Sequence, residues 1–215
     1  MIQNYLRKTG WRRIIIMTLG NVFLGLGMAI FKMSGMGTDP FSAMVMAIAD
    51  TVGIPFAGFL VIFNLVIFAV EFFFGKELIG IGTIVNGCLL GYIITFFYDL
   101  FTMPFGVPQN LIIRLVLVCV GVVTVSFGLA MYQSSEVGVA PWDSLSLIMV
   151  KYWPKIPYFW HRISNDALGT LLAIIFGGVV GLGTALCAFC LGPFIQFFNV
   201  HFVSKMLASG EKEND

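Results

Sequence analysis

The sequence is poor in charged residues. Of its 215 residues, 12 are Lys or Arg and 11 are Asp or Glu, so that charged side chains make up 11% of the chain, against about 25% in an ordinary soluble domain. Hydrophobic residues make up 59%, and the mean hydropathy is +0.95. Since so few charges cannot cover the surface of a soluble protein of this size, the composition excludes an ordinary soluble domain and makes the lipid bilayer the first expected partner.

The sequence also lacks an excess of basic residues and a set of metal-binding residues. The formal net charge is +1, and without a basic face to neutralise phosphates, nucleic acid is excluded as a partner. Cys187 and Cys190 have the C-x-x-C spacing of redox and metal motifs, but they lie inside an apolar run, where we interpret them as packing residues. With no nucleophile motif or phosphate loop either, we expect no cofactor, no metal and no enzyme activity.

Long apolar runs separate the few charges. The runs match the roughly 20 helical residues that cross a bilayer, and they are continuous, whereas barrel strands alternate apolar and polar residues. The first run, residues 14–31, could also be the apolar segment of a signal peptide, but it is longer than such segments usually are and no clear cleavage site follows it. Basic residues flank the first and last runs, which predicts a cytoplasmic location for both termini; they are Arg7, Lys8, Arg12, Arg13, Lys205 and Lys212.

One sequence pattern occurs twice. The pentapeptide 37–41 (Gly-Thr-Asp-Pro-Phe) aligns with 138–142 (Gly-Val-Ala-Pro-Trp), an offset of 101 residues. The same offset pairs 80–83 (Gly-Ile-Gly-Thr) with 181–184 (Gly-Leu-Gly-Thr), and Asn64 with Asn165. Motifs that stay in register along a chain are typical of duplication. We therefore predict two tandem repeats.

Each repeat consists of three full spans and one short helix opened by proline. The predicted full spans are 14–31, 56–74 and 78–97 in the first repeat, and 115–132, 158–176 and 179–198 in the second. The short segments, 40–49 and 141–150, would be roughly 15–20 Å long as helices, too short to cross a bilayer alone. The predicted fold is an all-α integral membrane protein. Residues 1–101 comprise the N-terminal tail and the first repeat, and residues 102–215 the second repeat and the C-terminal tail.

The direction of the second repeat remains open. If the short helices are re-entrant, each repeat crosses three times and the two repeats are inverted. If each short helix crosses together with its loop, the repeats are parallel. The positive-inside rule does not decide, because the inverted arrangement leaves Lys32 and Arg114 outside and the parallel one leaves Lys32 and Lys76 outside.

The starts of the two short helices are the candidate binding site. Broken helices at matching positions in two halves are the best pointer in a sequence to a transporter site. Gly37 and Gly138 permit the turns that lead in, and Pro40 and Pro141 suit a first helical turn. Each copy also keeps one carboxylate here, Asp39 and Asp143. We expect these aspartates either to cap their helices only, or also to bind a cation, proton or amine.

Three further polar residues at membrane depth complete the candidate set. Asn64 and Asn165 fall near the middle of equivalent spans, and Asp166 adjoins Asn165. Such groups either line a cavity or hydrogen-bond between helices. Glu71 lies near the end of a span, and we interpret it as a solvated carboxylate. Residues 151–162 are rich in aromatics and cations, and we interpret them as a loop at the membrane–water boundary.

Several of these motifs resemble those of a known protein family. The segment 37–41, followed by 80–87 (Gly-Ile-Gly-Thr-Ile-Val-Asn-Gly) and Gly91, resembles the YitT/YczE family of bacterial multi-pass membrane proteins, and the second copy is similar to the same pattern. The resemblance implies a bacterial inner-membrane protein without a settled activity, and it offers no catalytic residues. Our leading hypothesis is a small permease for an unidentified solute, working as a monomer or a homodimer. The alternative is a non-transporting accessory protein that supports a biosynthetic enzyme or another transport complex.

Overall fold

The computed structural model describes residues 10–211, which form helices and no strands. The basic residues Arg7, Lys8 and Lys212, used above to orient the termini, lie outside this range. The helices are α1 (Trp11–Ser34), α2 (Pro40–Val52), α3 (Phe56–Phe74), a 3-10 turn (Lys76–Leu78), α4 (Ile81–Phe105), α5 (Leu111–Ser134), α6 (Pro141–Tyr152), α7 (Tyr158–Ile175), α8 (Leu182–Phe198), a π turn (Asn199–Val203) and α9 (Ser204–Glu211).

Five of the helices in this range, α1, α3, α4, α5 and the α8–α9 segment, are long and apolar enough to cross a membrane. The prediction of a helical membrane protein is confirmed. The predicted span 158–176 forms α7, which has the length of a span but is not among these five, since its first half carries His161, Arg162 and Asp166. The predicted span from Leu78 begins later, at Ile81, because residues 76–78 form the 3-10 turn.

Two short helices interrupt the pattern of long ones. The first, α2, has 13 residues and begins at Pro40, where the carboxylate of Asp39 accepts a hydrogen bond from the Ser42 backbone N–H at 3.0 Å. The second, α6, has 12 residues and begins at Pro141. At the first helical turn proline is favourable, because its missing N–H would have no partner there.

Helices α1 and α5 form the centre of the bundle and run antiparallel. Their glycines let the backbones approach closely. A Cβ atom on Gly20 would lie 2.7 Å from the backbone nitrogen of Tyr132, and one on Gly27 would lie 2.7 Å from that of Val125. Gly121, near the middle of α5, faces Phe31 near the end of α1. Residue numbers rise along one helix as they fall along its neighbour.

The helix ends define two ends of the bundle. At the proximal end, where α1 begins and α5 ends, a guanidinium nitrogen of Arg13 lies 2.9 Å from the Glu136 carboxylate. At the distal end, where α1 and α4 both end, the Lys32 ammonium lies 4.2 Å from the centre of the Tyr98 ring. The distal end also holds the start of α5, where Arg114 donates to the Gly35 carbonyl at 2.6 Å.

The half made of α1–α4 and the half made of α5–α8 therefore run in opposite directions. Helix α2 begins inside the bundle and ends at the distal end, where its Asp50 lines a cavity together with Lys32. Helix α6 begins inside and ends at the proximal end, where Lys151 pairs with Glu77 at 2.8 Å. Neither short helix crosses the bundle. Of the two arrangements left open by the sequence, the structure has the inverted one.

The loops before the short helices dock in matching ways. The Gly183 N–H donates to the Met36 carbonyl at 2.8 Å, and the Gly82 N–H donates to the Val137 carbonyl at 2.8 Å. Both residues of the second bond differ by 101 from those of the first. Each loop is thus fastened to the first turn of the last long helix of the other half, which holds the starts of α2 and α6 at mid-bundle.

Candidate functional site

A cavity of about 80 Å³ lies where the first turns of α2 and α6 meet, enclosed by helices of both halves. Its charged lining comes from the two short helices and from α7: Asp39, Asp143, Arg162 and Asp166. Its apolar lining comes mainly from the long helices: Leu24, Met28, Leu60, Leu90, Val125, Leu129, Cys187 and Leu191. The cavity thus combines an apolar wall with a few convergent polar groups, as small-molecule sites do.

An ion pair closes one side of the cavity. A guanidinium nitrogen of Arg162 lies 2.8 Å from an oxygen of Asp143, and the Nε atom lies 3.8 Å from the Asp166 carboxylate. The side chains of Asp143 and Asp166 are only 14% and 20% exposed. In such a site the attraction between opposite charges is much stronger than in water. The one guanidinium faces two carboxyl groups, so that acidic groups outnumber the cation in this cavity.

Asp39 and an aromatic pair also line the cavity. Both oxygens of Asp39 have partners, the Ser42 N–H at 3.0 Å and the Thr38 hydroxyl at 3.3 Å. The rings of Phe41 and Trp142 stack with centroids 4.8 Å apart. The Trp142 indole N–H donates to Asp166 at 3.5 Å. The aromatic pair therefore joins α2 directly to α6, and its indole joins α6 to α7.

Two larger cavities flank the central one. A vestibule of about 380 Å³ at the proximal end is lined by Tyr132, Gln133, Glu136, Asp143 and others. A vestibule of about 260 Å³ at the distal end is lined by Phe31, Lys32, Gly35, Thr38 and others. Most residues of the distal vestibule occupy positions 101 away from residues of the proximal one: Phe31 and Tyr132, Lys32 and Gln133, Gly35 and Glu136, Gly37 and Gly138, Thr38 and Val139, Met46 and Leu147, Gly178 and Glu77, Val179 and Leu78.

A charged pair marks the rim of the proximal vestibule. Glu77 accepts a hydrogen bond from Lys151 at 2.8 Å, and this bond lowers the pKa of Glu77 from its ordinary value. Both side chains are exposed. The pair is screened by solvent, so we assign it a small part in stability.

The structure brings together three of the five candidate binding residues. Asp39, Asp143 and Asp166 line the central cavity, and Pro40 lies beside them. Asn64 and Asn165 do not line it. The Asn64 amide donates to the Gly87 carbonyl at 2.8 Å, joining α3 to α4, and the Asn165 amide donates to the Ser146 hydroxyl at 2.8 Å, joining α7 to α6.

Sequence reasoning missed Arg162 as a cavity residue. It was assigned to a boundary loop because aromatics and cations precede it, but the loop ends at Pro157 and Arg162 lies on α7. The available signal was its spacing of four residues from Asp166, which puts both side chains on one helix face. The interpretation of Glu71 as solvated is wrong: it is 0% exposed.

A metal site has no support in the part of the chain that is described. Across residues 10–211, no group of three or more His, Cys, Asp or Glu side chains is placed to hold an ion. The cavity carboxylates are instead engaged by Arg162, by Trp142 and by the backbone of α2. The arrangement can hold a small polar or cationic group, or a proton.

Comparisons with known proteins give a family and no activity. The chain is 28% identical over 195 residues to the uncharacterized protein YyaS of Bacillus subtilis, covering 87% of this chain and 94% of that one. An uncharacterized protein of Haemophilus influenzae is 28% identical over 191 residues (87% and 84%). The uncharacterized membrane protein YczE of Bacillus subtilis is 25% identical over 184 residues (83% and 81%).

The match to YczE confirms the resemblance that the sequence motifs suggested. No solved structure matches the chain significantly. Residues 11–200 match the model of a family of unknown function, DUF6198. The chain is therefore a helical membrane protein that belongs to this family.

Proposed function

We propose that this protein is a small transporter whose solute binds in the central cavity, between the starts of α2 and α6. One observation carries the proposal: a central cavity lies between two vestibules that are built from corresponding positions and open at opposite ends of the bundle. Binding sites at the start of broken helices, with inverted halves on either side, are the arrangement of many secondary transporters.

The positions of the short helices suggest how access would alternate. The loop before α2 separates the cavity from the distal vestibule, and the loop before α6 separates it from the proximal vestibule. Thr38 lines the distal vestibule one residue before Asp39, and Asp143 lines both the central cavity and the proximal vestibule. A small movement of either half against the other would open the cavity to one end at a time.

The charges of the cavity indicate the solute to test first. Three carboxylates and one guanidinium line it, and two aromatic rings lie beside them. A small organic cation could pair with an acidic group that Arg162 leaves free and could approach the face of an aromatic ring. An anion would meet carboxylates at the helix starts, which are otherwise favourable places for negative charge.

The distribution of basic residues supports an orientation in the bacterial inner membrane. Among the described residues, Arg12, Arg13, Lys76, Lys151, Lys155 and Lys205 belong to the proximal end, whereas Lys32 and Arg114 belong to the distal end. By the positive-inside rule the proximal end, where α1 begins, faces the cytoplasm.

The test is transport by purified protein in liposomes. We would record charge movement on a solid-supported membrane while exchanging a panel of small amines, from methylammonium to choline. We expect a current with at least one amine in the wild type and its loss in Asp143→Asn. Asp99→Asn is the matched control, since Asp99 lines none of the three cavities. No current with any amine, from protein shown to be folded, would contradict transport of this class and favour the accessory role.

A further inference from the structure

The carboxyl of Glu71 is a buried polar group that does not line the central cavity. It lies on α3, one turn from the proximal end, and is 0% exposed. Neither of its oxygens has a hydrogen-bond partner in the structure. An ionised carboxylate in such a place would lose its hydration with nothing in return, and in practice such a group takes up a proton.

The surroundings of Glu71 contain no compensating cation within the described chain. Lys76, the nearest in sequence, lies over the Phe72 ring at 4.3 Å, and Lys151 is paired with Glu77. From α5, the phenol of Tyr132 lies close enough to feel the Glu71 charge, but its O–H donates to the Gly138 carbonyl at 3.1 Å. From α6, the neighbouring Asp143 is directed to Arg162.

A hydroxyl of α6 faces Glu71 without forming a hydrogen bond to it. Ser144, in the first turn of α6, faces the carboxyl, and its hydroxyl donates to the Pro141 carbonyl at 2.6 Å. Since a hydroxyl has a single proton to donate, this arrangement gives an ionised Glu71 no hydrogen bond, and both carboxyl oxygens stay without a partner. Burial without a partner favours the neutral acid.

The corresponding contact in the other pair of helices has no polar group. The positions 101 away from Glu71 and Ser144 are Leu172 on α7 and Ala43 on α2. Ala43 is buried in an apolar cluster against which Leu172 packs. The proximal short helix thus packs beside a buried carboxyl, whereas the distal one packs through an apolar contact.

We propose that Glu71 is a proton-binding site that controls the proximal short helix α6. With the proton bound, the neutral acid stays buried beside Ser144, and α6 stays packed against α3. When the Glu71 O–H bond breaks, the proton passes to water at the proximal end, one turn away, and leaves a carboxylate, which must move toward water and so releases α6. Only the consequence, that protons gate access to the cavity from the proximal side, rests on the proposed transport function.

The test uses the purified full chain in lipid nanodiscs and needs no solute. Infrared difference spectra between the wild type and Glu71→Gln would show the C=O band of a protonated carboxylic acid that the variant lacks. We expect this band to decay as the pH is raised. Amide hydrogen exchange of a peptide covering residues 139–150, corrected for intrinsic rates, should increase with the same midpoint in the wild type and stay constant in Glu71→Gln.

A second variant tests the same prediction in case Glu71→Gln does not fold. Glu71→Leu combined with Ser144→Ala reproduces the apolar contact of Leu172 and Ala43 and should also give exchange independent of pH. Absence of the acid band at neutral pH would overturn the proposal. So would a band and an exchange rate that do not change with pH, since Glu71 would then be a permanently buried acid with no part in controlling α6. Neither result depends on whether the amine currents are found.

Discussion

The rings of Phe41 and Trp142 stack with centroids 4.8 Å apart and 19° between their planes. Each ring follows the proline that opens a short helix, so that the two helix starts are in direct contact through this pair. Because α2 and α6 belong to halves that run in opposite directions, the stack marks the point where the halves meet. The charged cavity is built around it.

Removing one partner of the ion pair between Arg162 and Asp143 should lower the stability of the folded protein. We expect Arg162→Met to lower the free energy of unfolding by up to about 3 kcal/mol, because it leaves Asp143 poorly solvated and uncompensated. Adding Asp143→Asn should recover much of the loss. Thermal unfolding in detergent measures both. Lys151→Met is the control: its pair with Glu77 is exposed, so we expect a change below about 1 kcal/mol. Equal losses in the two single variants would argue against a special role for Arg162.

The crossing of α1 and α5 should tolerate no side chain at its closest point. A Cβ on Gly20 would lie 2.7 Å from a backbone atom of α5, so Gly20→Ala should destabilise the protein by about 1–3 kcal/mol. Gly58→Ala is the control, because its Cβ would have no neighbour closer than 4.0 Å. There alanine should be neutral or stabilising by up to about 1 kcal/mol. The unfolding midpoints of the two variants should move in opposite directions, and similar midpoints would be inconsistent with this packing.

The loop before α6 should be sensitive at Gly138 for two reasons. Its φ of 119° is unfavourable for other residues, and a Cβ would lie 2.6 Å from the Thr83 hydroxyl oxygen. Gly53 shares the positive φ, 77°, but its Cβ would meet nothing within 4 Å. We expect Gly53→Ala to cost about 1–2 kcal/mol from strain alone, and Gly138→Ala to cost more. Their unfolding midpoints measure the difference, which combines the greater strain at φ 119° with the loss of docking onto α4.

The inverted arrangement predicts which loops share a side of the membrane. Thr51 lies at the distal end and Lys76 at the proximal end. In intact cells, an impermeant thiol reagent should label Thr51→Cys, and should label Lys76→Cys only after the membrane is opened. The parallel arrangement predicts the reverse pattern for both positions, so that a single experiment distinguishes the two.

Much of the fold could be predicted from sequence because lipid restricts the choices. Long apolar runs can only be helices in a bilayer, and proline with a preceding aspartate determined where α2 starts. Asp39, Asp143 and Asp166 were found because each lies at or near a helix break or at membrane depth. The direction of the second half could not be predicted, since charge counts tied; it depends on how α1 packs on α5.

Arg162 and Glu71 were misinterpreted for a related reason. Both lie within a turn or two of a span's end, where position along the helix alone suggests contact with water. Whether such a residue points to lipid headgroups or to the bundle interior depends on rotation and on neighbouring helices. Arg162 reaches Asp143 on α6, and Glu71 meets Ser144 on α6. Neither partner is close in sequence, so no local pattern points to the surroundings of Glu71, and for Arg162 the one local signal is its spacing of four residues from Asp166.

The most direct test of the account is access to Cys187, a native residue that lines the central cavity and is 5% exposed. In a variant in which Cys88, Cys119 and Cys190 are replaced by alanine, Cys187 is the remaining thiol. We would apply an impermeant cationic methanethiosulfonate to either side of oriented membrane vesicles. Alternating access predicts that Cys187 reacts from both sides. Reaction from neither side, or from one side only under all conditions, would contradict transport through this cavity.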